Sequence, residues 1–228
     1  MDTGPCRELQ AHPSPDEASL TQPSIQAGVS TTTPATIQPG WVRVTHWLNA
    51  LAVVIMVTSG WQVYNASPIF PPLVFPASIT LGGWLGGALL WHFAAMWLLV
   101  ANFLAYVVLN IVSGRFRRKL FPLSLKSLIG DVRAALTGKL GHDDLSHYNA
   151  VQKAAYLAVI LDLVIVILSG LAIWKSVQFP WLREVMGGYD NARKVHFFAM
   201  SFLVAFFVVH VVMVALVPRS LLLMIRGR

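Results

Sequence analysis

The sequence predicts an all-α membrane protein: a four-transmembrane-helix bundle built from a duplicated helix pair, with a disordered N-terminal tail. Three observations predict it. The 228 residues are 56% apolar and only 12% charged, with a mean hydropathy of +0.62, the balance of a polytopic membrane protein and not of a soluble domain. Four apolar stretches are each long enough to cross a hydrocarbon core about 30 Å thick. Finally, the second and fourth stretches repeat one another. HFAAMWLLVANFLAYVV, from His92, and HFFAMSFLVAFFVVHVV, from His196, agree at ten of seventeen positions.

In chain order, residues 1–40 are rich in Pro, Ser, Thr and Gln and nearly free of aromatics. They bury too little surface to offset ordering entropy, so a disordered extension is expected ahead of a membrane domain over 41–225. This extension lacks an apolar h-region, so no signal peptide is expected. It holds the single cysteine, Cys6, and a histidine, His12, expected to be solvated. One cysteine excludes a disulfide within the chain, and no CxxCH motif offers covalent haem attachment.

The first span is Trp41 to Tyr64, with Trp41, Trp47, Trp61 and Tyr64 toward its ends, where aromatic belts sit. Residues 66–81 carry four prolines and no charge, so they form a connecting loop. The second span runs from about Gly83 to Ile111. Residues 113–149 form a basic loop with seven Lys/Arg, in which Leu125 to Leu136 has the pattern of a short amphipathic surface helix. The third span is Ala150 to Trp174. A second loop, 175–190, holds Pro180, Trp181 and Gly187–Gly188, and the fourth span, Arg193 to Val217, follows. The chain ends in Arg219, Arg226 and Arg228.

Four spans put both termini and the 113–149 loop on one side. That loop has seven Lys/Arg, against none in 66–81 and two in 175–190, so both termini are expected in the cytoplasm. The net charge of +7 thus reports orientation, with no nucleic acid as partner.

Two histidines, His196 and His210, lie fourteen residues apart in the fourth span. At about 100° and 1.5 Å per residue they share one stripe and stand about 21 Å apart, one near each membrane surface. Intramembrane histidines are costly and usually functional. Depth along the spans puts His46 with His210 in an inner layer and His92 with His196 in an outer one. The repeat has Tyr106 where His210 stands and Tyr156 where His46 stands. Both odd spans end alike, in Ser59-Gly60 and Ser169-Gly170.

Two imidazoles facing across a bundle are what a six-coordinate haem iron needs. Gly60, fourteen residues after His46, removes a side chain where a macrocycle needs room. Arg43 and Arg193 precede a histidine by three residues, one turn nearer water, placed to pair with a haem propionate. Hydrogen bonding between helices and a metal-ion pathway are the alternatives. A four-coordinate zinc site would be incomplete, with two nitrogens per layer and no carboxylate. Asp162 is the single carboxylate expected within a span, read as a helix-to-helix hydrogen bond or a proton or quinone contact. His142 and His147, in the basic loop, are expected to be exposed.

Arg43-Val44-Thr45-His46-Trp47-Leu48-Asn49-Ala50, then Ser59-Gly60, His92, His196 and His210, resemble the bacterial cytochrome b561 family over about 41–225. That family includes b-type cytochrome subunits of nickel-iron hydrogenases. The resemblance implies two haem b groups, the inner iron on His46 and His210 and the outer iron on His92 and His196. It implies electron transfer in the bacterial inner (plasma) membrane, between quinone and a periplasmic or membrane-attached redox subunit. A stand-alone superoxide:quinone oxidoreductase of the same family is the other reading, with Lys175, Arg183, Arg193 and Lys194 collecting the anion at the outer rim. A transporter would need a polar pathway, and the spans offer little beyond Asn102 and Asp162.

Overall fold

The computed structural model describes Met1 and residues 38–120, 125–136 and 150–227. Nearly all of the extension expected over 1–40, with Cys6 and His12, lies outside the described residues, as do His142 and His147. Among the described residues all regular structure is helical. In order these are α1 (Gly40–Ala66), α2 (Leu85–Val112), α3 (Arg115–Leu120), α4 (Leu125–Leu136), α5 (Ala150–Trp174), α6 (Pro180–Val185), α7 (Tyr189–Leu216) and α8 (Pro218–Arg226), with a 3-10 turn at Ala77–Ile79. The helices α1, α2, α5 and α7 are long and apolar enough to cross a membrane, and they fall on the four expected spans.

The long helices pack as two hairpins, α1 on α2 and α5 on α7, while close backbone approach across the hairpins is sparse. Small buried residues allow the tight contact within each: Ala52, Ala88 and Ala95 in the first, Ala172, Ala192 and Ala199 in the second. The hairpins meet in one central cluster, where Ala52, Leu99, Phe103, Leu163 and Leu203 pack together at mid-membrane. Large apolar side chains such as Leu51, Leu90, Leu104, Leu161, Val208 and Leu216 point outward. In a bilayer they meet lipid tails, so their exposure costs nothing.

Three helices were not expected from the sequence. Within the 175–190 loop, α6 begins on Pro180, whose missing N–H is no loss in a first turn. Its Leu182 packs on Ala172 and Ala192 and closes the outer end of the second hairpin. The short α3 starts the basic loop directly after Gly114, at φ +64°. At the C-terminus Pro218 cannot continue α7, and a new helix, α8, starts there. It turns back on the first hairpin: the Trp47 indole donates to the Met224 carbonyl, and the Gln38 N–H to that of Gly227. Gly227 sits at φ +83°, a conformation open to glycine. The expected surface helix is α4, and its Asp131 carboxylate accepts the first N–H of α5 at 2.7 Å, satisfying a helix-start donor.

The proline-rich 66–81 loop is tied down. Asn65 makes paired hydrogen bonds to the backbone of Phe75, at 2.8 and 2.9 Å. The Trp61 ring stacks on Phe75 at 4.8 Å.

Candidate functional site

The four membrane histidines meet in two pairs. The ring centroids of His46 (α1) and His210 (α7) are 6.0 Å apart, with planes at 62°. Those of His92 (α2) and His196 (α7) are 6.4 Å apart, with planes at 70°. These are the pairs that depth alone groups together, and each joins one hairpin to the other.

The outer pair is held by a device that occurs twice. The His92 Nδ1 lies 3.1 Å from the Ser59 hydroxyl oxygen and 3.1 Å from the Met56 carbonyl. The Ser59 O–H is itself given to the Ile55 carbonyl at 2.6 Å. Its oxygen is therefore left to accept, and the ring nitrogen must donate. The second hairpin repeats this. The His196 Nδ1 lies 3.0 Å from the Ser169 oxygen and 3.1 Å from the Val166 carbonyl, while the Ser169 O–H goes to Ile165 at 2.7 Å. With Nδ1 protonated, each ring has a free lone pair on Nε2. A hydrogen bond on one ring nitrogen that fixes the tautomer for a metal on the other is the usual arrangement of ligating histidines.

Glycine completes the device. A Cβ on Gly60 would stand 3.3 Å from Cε1 of His92, and one on Gly170 would stand 3.2 Å from Cε1 of His196. What the missing side chain at Gly60 admits is the ring of His92 on the neighbouring helix.

The inner pair is built differently. Among the described residues no hydrogen bond reaches either ring. His210 stacks on Phe206 at 5.9 Å, with planes 12° apart, and His46 meets Trp47 edge-on at 5.5 Å. Behind His46, Asn102 of α2 donates to the Thr45 carbonyl and to the Asn49 side chain, both at 2.7 Å. This pins the backbone that carries His46, not its ring.

Two axial imidazoles across one metal, each nitrogen about 2 Å from it, stand about 6 Å apart between ring centres. Both pairs match that spacing. Among the described residues no three His, Cys, Asp or Glu cluster to hold a metal. The pairs therefore suit an iron whose other ligands come from a macrocycle.

The model of the prokaryotic cytochrome b561 family matches residues 37–227. The chain belongs to that family. Its relatives include a putative protein-methionine-sulfoxide reductase subunit, YedZ1, of Azospira oryzae, 64% identical over 191 residues that make up 84% of this chain and 96% of that one. More distant are probable Ni/Fe-hydrogenase B-type cytochrome subunits. That of Cupriavidus necator is 25% identical over 75% of this chain and 74% of its own, and that of Azotobacter vinelandii is 26% identical over 86% of each. This cytochrome b561 chain is thus a multi-pass membrane b-type cytochrome, a haem protein.

The arginines and the rim cations sit at the margins of the two layers, and Asp162 lies between them. Arg43 donates to the Ile225 carbonyl at 2.7 Å, and its buried Nε has no partner. Arg193 donates to the Ser67 carbonyl. Each guanidinium keeps further N–H groups beyond these bonds. The outer-rim cations have neighbours of their own: Arg183 pairs with Glu184, Lys194 with Asn191, and Lys175 lies over Trp174. Asp162 is 6% exposed, and its Oδ2 has no hydrogen-bond partner. Between the two histidine layers it is the sole ionisable group on any of the four spans.

Sequence reading missed the roles of Ser59 and Ser169, the Gly170 contact, and Asn102. The recurring Ser-Gly pair was the available signal. The Met56 and Val166 carbonyls leave none, because every residue has one.

Proposed function

We propose that this chain carries electrons across the plasma membrane through two haem b groups, one on His46 and His210 and one on His92 and His196. The observation that carries the reading is the pair of imidazole couples at haem-ligand spacing, in a chain whose family is that of b-type cytochromes. When bound, each haem would be held by one of these histidine pairs and would supply a one-electron carrier.

The chain's own residues do the rest. Ser59 with the Met56 carbonyl, and Ser169 with the Val166 carbonyl, hold the outer imidazoles in the tautomer that presents Nε2. Arg43 and Arg193 offer charge-assisted donors to propionates at the two margins. The cluster around Leu99, Phe103, Leu163 and Leu203 fills the mid-membrane between the layers and excludes water. The basic 113–149 loop and both termini face the cytoplasm.

Quinone is the membrane-side redox partner, and a peripheral oxidoreductase subunit docks on the outer loops. The name of the Azospira oryzae relative points to a reductase of methionine sulfoxide. Reducing one sulfoxide to the thioether takes two electrons and two protons and releases water: oxidation of one quinol supplies the two electrons through the haems, and the two protons are taken from water on the side where the reductase docks.

The test is a pyridine haemochrome and a reduced-minus-oxidised spectrum of the purified protein, followed by quinol reduction. Two haem b per chain, reduced by quinol and reoxidised by methionine sulfoxide only when the reductase subunit is present, is the expected result. Full-length folded protein without b-type haem overturns it. Reduction by quinol without that reoxidation removes the sulfoxide reductase as partner and leaves the carrier.

A further inference from the structure

The two histidine layers differ in one respect that bears directly on redox chemistry. Each outer imidazole gives its Nδ1–H to two oxygens, a serine hydroxyl and a backbone carbonyl, at 3.0–3.1 Å. Ser59 and Ser169 are both fully buried, at 0% exposure, so water does not compete for those bonds. Neither inner imidazole has such an acceptor among the described residues.

We infer that Ser59 and Ser169 are positioning residues that set the outer haem at a lower reduction potential than the inner one. The inference rests on the di-haem reading above. An imidazole that donates a strong Nδ1 hydrogen bond gains imidazolate character and becomes a stronger donor through Nε2. A stronger donor favours the more positive, ferric iron, and second-shell hydrogen bonding is one of the levers that sets a haem potential. The outer site has this lever on both axial ligands. The inner site has an aromatic stack on one ring and an indole edge on the other, and neither accepts the N–H in the plane of the imidazole.

The serine, not the carbonyl, is the adjustable part. Its O–H is committed to Ile55 or Ile165 one turn earlier, which turns its lone pairs toward the ring. The adjacent glycine brings that ring close enough to use them. In the orientation proposed above, an electron leaving the inner haem for the outer one moves down the field of an inside-negative membrane. A lower outer potential is therefore compatible with outward flow.

The experiment is a redox titration of the haem-loaded protein in its visible α-band, with electron paramagnetic resonance to count the centres. His210→Ala and His196→Ala assign each signal to the inner or outer site. Wild type should give two midpoints, the outer one more negative. Ser59→Ala and Ser169→Ala keep the Met56 and Val166 carbonyls, so both haems stay bound. Each should raise the outer midpoint and leave the inner one in place, and the double variant should shift it further. A tenfold change in the ferric-over-ferrous preference is about 59 mV for one electron. Two haems with the reverse order, or serine variants that move neither midpoint or both alike, overturn this inference and leave the di-haem reading standing. Wild-type protein with no haem, or with one, overturns both.

Discussion

The His196 ring of α7 lies against Gly170 of α5 so closely that a single added methyl on the glycine would stand 3.2 Å from the ring's Cε1. His92 and Gly60 stand in the same relation in the other hairpin, at 3.3 Å. In both, the residue just before the glycine is the serine that faces the ring nitrogen. The two hairpins thus share a three-residue device, Ser-Gly on one helix and His on the next, while each carries one inner histidine at a different position.

Gly170→Ala and Gly170→Val separate space from helix propensity. In an open helix, replacing glycine by alanine stabilises by about 0.5–1 kcal/mol. At Gly170 the methyl instead needs the His196 ring to retreat by a few tenths of an ångström. Gly170→Ala should therefore keep both haems with a disturbed outer signal. Gly170→Val should drop the haem-to-chain ratio from two to one, with the inner signal unchanged. Haem content by pyridine haemochrome reads both. Two unperturbed haems in the valine variant would show that the ring has room it does not have in the structure.

The pairing across hairpins gives a second prediction. His210→Ala should lose the inner haem and keep the outer one, and His92→Ala should do the reverse. Each variant should retain its helical circular dichroism and bind one haem per chain. Equal loss of both haems in each variant, with helicity intact, would break the assignment of pairs.

The twist of the rings gives a third. The imidazole planes stand at 62° in the inner pair and 70° in the outer. Were both rings of a pair to bind one haem iron at these angles, the two highest occupied iron d-orbitals would be nearly equal in energy. Ferric low-spin haems of that kind give strongly anisotropic resonance with one large principal g value. Both centres should show it in frozen, oxidised protein. A rhombic spectrum typical of parallel rings, from either centre, would contradict the geometry of that pair.

Much of this architecture was legible in the sequence because lipid imposes simple rules. A span must be apolar over about 20 residues, so α1, α2, α5 and α7 announce themselves by length. A histidine in such a span stands out, and a count of residues gives its depth. Helix α8 was hidden for the opposite reason: Pro218-Arg219-Ser220 reads as a chain end, and the helix is tied down by carbonyl contacts to Trp47 and Arg43 that have no local signature. Asn102 reads as a stray polar residue until α1 lies beside it and supplies the Thr45 carbonyl. The serines read as helix-tolerated hydroxyls bonding one turn back, and they do make that bond. Their second use, toward a ring on another helix, exists only in the folded hairpin.

Asp162 offers the last prediction, because its place in the fold argues against its charge. It lies at mid-membrane, beside the cluster that joins the hairpins, and its Oδ2 has no hydrogen-bond partner. In the duplicated frame set by Ser59 and Ser169 its counterpart is Ala52, a fully buried packing residue. A buried polar group without a partner costs about 1–3 kcal/mol, more when charged. If Asp162 is only a structural remnant, an uncharged residue of similar size relieves that cost. Asp162→Asn should then keep two haems per chain, and Asp162→Leu should raise the thermal unfolding midpoint in detergent. If the carboxyl is instead needed for quinol oxidation, both variants will bind haem and unfold no earlier than wild type, yet reduce at least tenfold more slowly with quinol. Stopped-flow reduction of each variant, set beside its melting curve, decides between a packing fault and a working acid.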